Sequence, residues 1–173
     1  LATFRKRYGY DLVPHLMELA YDVEGLGITP ARYHYHDCVT HLYVDAFCRQ
    51  VGEWCAKHKL LFTGHQLEED TLSSQTNMVG SCIRTYEYMQ APGMDLLTEH
   101  WRVFNTAKQV TSGARQFGAK WRLTETYGCT GWDFPFSGHK ALGDWQLALG
   151  INLRCQHLSW YTMAGEAKRD YPA

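Results

Sequence analysis

Short strand-like runs alternate with helical stripes along most of this chain, and that alternation narrows the fold more than any other feature. Leu60-Leu61-Phe62-Thr63-Gly64 reads as a short buried strand, and Met94-Asp95-Leu96-Leu97 as a second. A third runs from Lys120 to Thr124 and delivers Glu125, and His157-Leu158-Ser159-Trp160-Tyr161 reads as the last. Residues 39–58 carry a helical apolar stripe through Leu42, Tyr43, Ala46, Phe47, Val51, Trp54 and Cys55, with Asp37 or Thr40 as its cap. Further helices are expected over residues 74–89, 99–117 and 139–149, with Gly118 and Gly150 closing the last two and Pro92-Gly93 breaking the chain. Strand–helix alternation implies parallel strands with helices packed outside them.

Each strand ends in a polar or aromatic loop, as the strands of (β/α)8 barrels do, where chemistry sits at the C-terminal ends. A doubly wound sheet is the competing α/β architecture, but the chain has neither G-x-G-x-x-G nor a Walker loop. A closed barrel needs eight strands and typically about 250 residues. The expectation is therefore a partial TIM barrel, roughly strands five to eight with their helices, filling residues 1–173 as a single unit. The opening on Leu1 and the ending at Ala173 read as part of a longer protein, with the remaining half of the barrel as this unit's partner.

Composition excludes several classes. Hydrophobic residues make up 45% and charged residues 20%, in the range of globular rather than disordered chains. A formal net charge of −1 gives no footprint for nucleic acid, and no apolar run is long enough to span a membrane. Aromatic residues, at 14%, suit either stacking on sugar rings or a large core. The six cysteines form no C-x-x-C pair and lack zinc-finger spacing, which reads as reduced thiols and weakly as a cytoplasmic setting.

Glu125 is the leading catalytic candidate. A carboxylate at a strand end can act as general base on water or as nucleophile at an anomeric carbon. In the loop behind it, Trp132 can stack on a sugar or plug the barrel mouth, and Asp133 can bind hydroxyls or cap a turn. His65 and Glu68, after the first strand, can hydrogen-bond a sugar. With Glu69 they can instead lend ligands to a hard cation such as Ca²⁺, or form a solvated acidic turn. Asp95 is placed to reach a substrate hydroxyl or to pair with an arginine. His157, Trp160 and Tyr161 surround the last strand as a sugar platform or as packing. His34 and His36 would share a face if Arg32–Asp37 were a strand, but H-x-H alone assigns no metal, and none is assigned here.

Several blocks, taken in order, resemble the barrel of glycoside hydrolases of the α-L-rhamnosidase-like family 106 type, with relatives near the family 2 type. Phe4-Arg5-Lys6-Arg7-Tyr8-Gly9-Tyr10-Asp11-Leu12 is similar to the segment after the fourth barrel strand. Lys108 with Ser112, Gly118 and Thr124-Glu125-Thr126 look like the helix and seventh strand. Asp144, Gly150-Ile151-Asn152 and His157 with Tyr161 look like the approach to the eighth. The resemblance implies an O-glycosyl hydrolase with a carbohydrate substrate and a two-carboxylate mechanism. In it Glu125 is the seventh-strand carboxylate, and the partner acid lies upstream of Leu1. It also allows a Ca²⁺ cofactor. The block from Cys129 to Phe136 departs from the rhamnosidase pattern, so the sugar is not given. A non-catalytic carbohydrate-binding pseudo-enzyme is the alternative from a different class.

Overall fold

A computed structural model describes residues 1–22, 25, 27–98, 100, 102–131, 133–157 and 164. Near the N-terminus, α1 (Ala2–Tyr8) ends at Gly9 in the left-handed conformation, and α2 (Leu16–Ala20) follows one 3₁₀ turn. Helix α3 (Pro30–Tyr43) starts where its sequence permits. Thr29 Oγ1 accepts the Arg32 N–H, and Pro30 occupies the first turn, where a missing N–H costs nothing. A π-helical stretch, Val44–Arg49, carries the chain on into α4 (Gln50–Lys57) without a break. The expected helix over residues 39–58 is thus real but begins nine residues earlier, at Pro30. Its start is not capped by Asp37 or Thr40. Asp37 instead accepts from Tyr8 Oη, and Thr40 Oγ1 donates to the His36 carbonyl.

That earlier start overturns the strand reading of the histidine run. His34 and His36 lie on a helix, where residues two apart point in different directions. His34 stacks on Tyr8 with ring centroids 4.3 Å apart and is hydrogen-bonded to Tyr10 Oη, and both tyrosines pack against a small core of Phe4, Leu12 and Cys38.

The remaining elements are β1 (Thr63–Gly64), α5 (Leu72–Met78), α6 (Cys82–Thr85), β2 (Ala91–Asp95), α7 (Phe104–Phe117), β3 (Leu123–Thr126), α8 (Phe136–Ala148) and β4 (Leu153–Gln156). Thr71 and Ser74 form a reciprocal capping box at the start of α5. The single helix expected over residues 74–89 is two helices and a 3₁₀ turn. Gly80 adopts φ +81, and a Cβ there would fall 1.9 Å from Thr40 Oγ1, so the break lets this turn press against α3.

All four strands pair in parallel and in chain order, β1-β2-β3-β4. An α/β fold with a four-stranded parallel sheet and flanking helices is therefore established. The strand bounds differ from expectation: β1 is Thr63–Gly64 and leaves Leu60 and Leu61 exposed outside it, β2 is Ala91–Asp95 in place of 94–97, and β3 is Leu123–Thr126 in place of 120–124. Pro92-Gly93 lies inside β2 instead of breaking the chain. Proline is tolerated there because it precedes the β2–β3 pairing, which begins at Gly93–Leu123. The last strand is Leu153–Gln156, four residues before the one expected at 157–161, of which residues 158–161 lie outside the described residues. Leu153-Arg154-Cys155-Gln156 alternates apolar and polar residues over only four positions, and three of the four are exposed.

The two faces of the sheet differ. Met94 and Thr124 are register partners on one face, and both are fully buried. The main core lies on that side, built from Cys82, Tyr86, Met89, Met94, Leu96, Ala107, Val110 and Ile151, with Trp145 and Leu149 packed against it. Asp95, Glu125 and Cys155 are aligned on the other face, with Gly93, Leu123 and Leu153 one pleat below them. On this face Asp95, Glu125, Leu123 and Leu153 are half-buried and Cys155 is exposed.

Candidate functional site at the strand ends

Parallel order brings the C-terminal ends of consecutive strands side by side. His65 follows β1 directly, Asp95 ends β2, Glu125 is the third residue of β3 and His157 follows β4. His65 Nε2 lies 3.7 Å from Asp95 Oδ2 and 3.7 Å from Glu125 Oε2. One ligand atom from each of the three falls within 4.8 Å of the others. Among the described residues, this is the group of His, Cys, Asp and Glu side chains arranged to hold a cation. His34 and His36 do not belong to it.

The local backbone explains why these side chains converge. Gly93 has no side chain to hold β1 and β2 apart, and a Cβ there would meet the Gly64 carbonyl oxygen at 2.8 Å. Beyond β1 the chain turns sharply, with Glu68 at φ +56, and sends Glu69 inward. Glu69 is 3% exposed. Its carboxylate accepts the N–H of Asp95 through Oε1 and that of Gln66 through Oε2. Its own carbonyl accepts from Gln75 Nε2 at 2.7 Å and Thr106 Oγ1 at 2.8 Å. Glu69 thereby ties the loop carrying His65 to the end of β2.

Electrostatics follow from this enclosure. Burial pushes the Glu69 carboxyl up to about 7, against the opposing pull of its N–H donors and His65. Burial also raises Asp95, with His65 acting against the shift and the Glu125 charge adding to it. Asp95 Oδ1 is buried with no hydrogen-bond partner among the described residues, and so is His157 Nδ1. Both polar atoms are held at strand ends where water or a ligand would ordinarily satisfy them.

The loop after β3 is held in strained backbone. Tyr127 (φ +72) and Cys129 (φ +56) both adopt the left-handed region, which costs a bulky residue roughly 1–3 kcal/mol. Tyr127 is fixed on three sides. Its N–H donates to the Leu97 carbonyl at 2.9 Å, its hydroxyl accepts from Arg154 Nη1 at 2.6 Å, and its ring lies 4.6 Å from that of His139.

The expected site residues divide as follows. His65, Asp95 and Glu125 are brought together. His157 stands at the next strand end, its ring against Gly128, and its charge bears on Asp95. Glu68 is exposed and its carboxylate is not in the cluster, and Asp133 is exposed on the β3 loop. Trp132, Trp160 and Tyr161 lie outside the described residues. The sequence reading favours Glu68 over Glu69, and the structure reverses that preference. In the run Glu68-Glu69-Asp70 nothing marks which carboxylate turns inward. The strain at Tyr127 was equally silent, because an aromatic residue carries no signal for a positive φ. All six cysteines are free thiols, as their spacing suggested. No described helix is long and apolar enough to cross a membrane.

Comparison with protein-family models, with curated proteins and with solved structures returns no match for this chain.

Proposed function

We propose that this chain is part of the catalytic barrel of a glycoside hydrolase of the α-L-rhamnosidase-like type, in which Glu125 acts as the general base on water or as the nucleophile. The observation that carries the reading is the placement of Glu125. It stands at the C-terminal end of the third of four parallel strands, beside Asp95 and His65, on the face that the main core does not occupy. Sequential strand order supports a barrel over a doubly wound sheet, whose strand order reverses at a switch point. The open face supports it too, since parallel sheets are covered on both sides and a barrel supplies that cover from its own opposite wall.

Two carboxyl groups share the work in such enzymes, about 5–5.5 Å apart in retaining and about 6.5–9.5 Å apart in inverting members. Asp95 offers an oxygen within 4.8 Å of one of Glu125, and the resemblance places the partner acid upstream of this chain. We assign Asp95 to binding a sugar hydroxyl and to holding His65, and we assign the partner acid to a strand preceding β1 in the barrel. Water held against Glu125 loses a proton to the carboxylate as it attacks the anomeric carbon, and the partner acid protonates the departing oxygen. His65, Asp95 and His157 line the substrate side in this reading, with Trp132, Trp160 and Tyr161 as stacking surfaces and Glu68 and Asp133 at the rim.

The resemblance also brings Ca²⁺. That ion takes six to eight oxygen ligands. The cluster offers two carboxylates and an imidazole, and both oxygens of Glu69 are already bonded to backbone N–H groups. This donor set does not suit Ca²⁺, and no step is routed through it.

The test is turnover of aryl and natural glycosides by the whole barrel protein and its Glu125→Gln variant, with the product anomer followed by NMR. We expect kcat to fall by about 10²–10⁴-fold with little change in KM, because the amide keeps the shape and loses the basicity. Inverted product is expected from the family 106 likeness. A variant with near wild-type kcat removes Glu125 from the mechanism, and sugar binding without turnover would favour a non-catalytic carbohydrate-binding protein.

A further inference from the structure

The cluster that fails as a calcium cage has the features of a different cation site. His65 Nδ1 lies 3.2 Å from the carbonyl oxygen of Gln66. A carbonyl can only accept, so Nδ1 carries a hydrogen, and in the neutral ring Nε2 then offers its lone pair to a ligand. That lone pair faces two carboxylate oxygens at 3.7 Å each. Three electron-rich atoms turned toward one point repel one another unless a proton or a cation lies between them. The backing of the imidazole by a carbonyl is the outer-shell arrangement that orients histidine ligands of metals. Asp95 is anchored through its backbone, whose N–H is held by the buried Glu69, and its Oδ1 is enclosed and unpartnered among the described residues.

We propose that His65, Asp95 and Glu125 form a binding site for a divalent transition cation of the zinc type, and that the bound cation takes Glu125 out of catalysis. One imidazole and two carboxylates are a donor set that Zn²⁺ accepts and Ca²⁺ does not favour. Bonds of about 2.0–2.1 Å in a tetrahedron put ligand atoms about 3.3 Å apart. The two contacts at 3.7 Å need close only slightly to reach that spacing, and the ligands within 4.8 Å close by side-chain rotation. The fourth position stays open to water. Ligation occupies Glu125 Oε2, so a carboxylate holding the cation no longer accepts a proton from water or attacks carbon. The binding half of this inference stands on the cluster alone, and the inhibitory half rests on the glycosidase reading.

The experiment uses chelator-treated protein titrated with ZnCl₂, CoCl₂ and CaCl₂ by calorimetry, with the visible spectrum of bound Co²⁺ as a second readout. We expect one equivalent of Zn²⁺ or Co²⁺, an intense tetrahedral Co²⁺ spectrum, and Ca²⁺ at least about 100-fold weaker. His65→Ala and the nearly isosteric Asp95→Asn should each weaken Zn²⁺ binding by more than about 10-fold, with circular dichroism confirming that the variants fold. The exposed thiols Cys129 and Cys155 also attract zinc. Binding that survives His65→Ala and Asp95→Asn but is lost in Cys129→Ser/Cys155→Ser overturns the site, as does Ca²⁺ binding as tight as Zn²⁺. In the glycoside assay Zn²⁺ should lower turnover and chelator should restore it. Full turnover with the site saturated overturns the inhibitory half. Absence of turnover in the metal-free whole barrel protein overturns the glycosidase reading and the inhibition with it, and leaves cation binding to its own readouts.

Discussion

Glu69 shows how a single side chain can set the geometry of a site without lining it. Its carboxyl is enclosed, accepts two backbone N–H groups and joins the turn after β1 to the end of β2. Burial raises its pKa to about 7, against 4.5 for the free side chain. An acid whose pKa is higher folded than unfolded holds its proton more tightly in the native state. Its contribution to stability is then fully present below pH 4.5 and is lost as pH rises through about 7, since above that point folding must bury the charge. Urea midpoints of chelator-treated protein should therefore fall between pH 5 and pH 8. Glu69→Gln should flatten that slope, because an amide has no proton to lose between these pH values. An equal slope in both proteins would show that other groups govern this range.

At the level of elements, the site depends on close approach of short strands more than on strand length. β1 has two residues and β2 five, and their pairing brings His65 within reach of Asp95. Gly93 makes this approach possible. A methyl group there would lie 2.8 Å from the Gly64 oxygen and 3.2 Å from Leu123 Cδ2, and the nearer contact is backbone that cannot turn aside. Gly93→Ala should cost about 1–3 kcal/mol in denaturant unfolding, as overpacking does. It should also move β1 off β2, so Zn²⁺ binding should weaken along with stability. Wild-type stability and metal affinity in this variant would mean that the strands tolerate a wider spacing. The loop after β3 works in the opposite sense. Contacts of Tyr127 with Leu97, Arg154 and His139 hold it in strained backbone, which fixes the chain just beyond Glu125.

For the whole molecule, the decisive asymmetry is between the sheet's two faces. One is buried under α7, α8 and their neighbours, while the other leaves Leu123, Leu153, Asp95 and Glu125 half-exposed and Cys155 open. Near the start of β1, Leu60, Leu61, Phe47 and Trp54 are each about half exposed or more. An uncovered face of a parallel sheet and apolar side chains at its edge favour association. Residues 1–173 produced alone should self-associate in sedimentation velocity, and a monodisperse monomer with a single cooperative unfolding transition would count against the half-barrel reading.

Several of these properties were legible in the residues. Helical stripes, the glycine stop at Gly118 and the short apolar runs near residues 62, 94 and 123 follow from local periodicity and backbone preference. These were enough for parallel strands in chain order and for Glu125 at a strand end. Local signals failed where the deciding contact is distant. The histidine run is helical because Thr29 and Pro30 start a helix that packs on α1 and its aromatic side chains. β4 is a strand because it pairs with β3, and its apolar–polar alternation, Leu153-Arg154-Cys155-Gln156, is too brief to set it apart from the more aromatic run after it. The turn that buries Glu69 and exposes Glu68 is fixed by bonds to Asp95, Gln75 and Thr106, at positions 26, 6 and 37 residues away. The meeting of His65, Asp95 and Glu125 depends on strand spacing and register, which only the assembled sheet determines, because hydrogen bonds between strands join residues that the chain itself keeps about thirty apart.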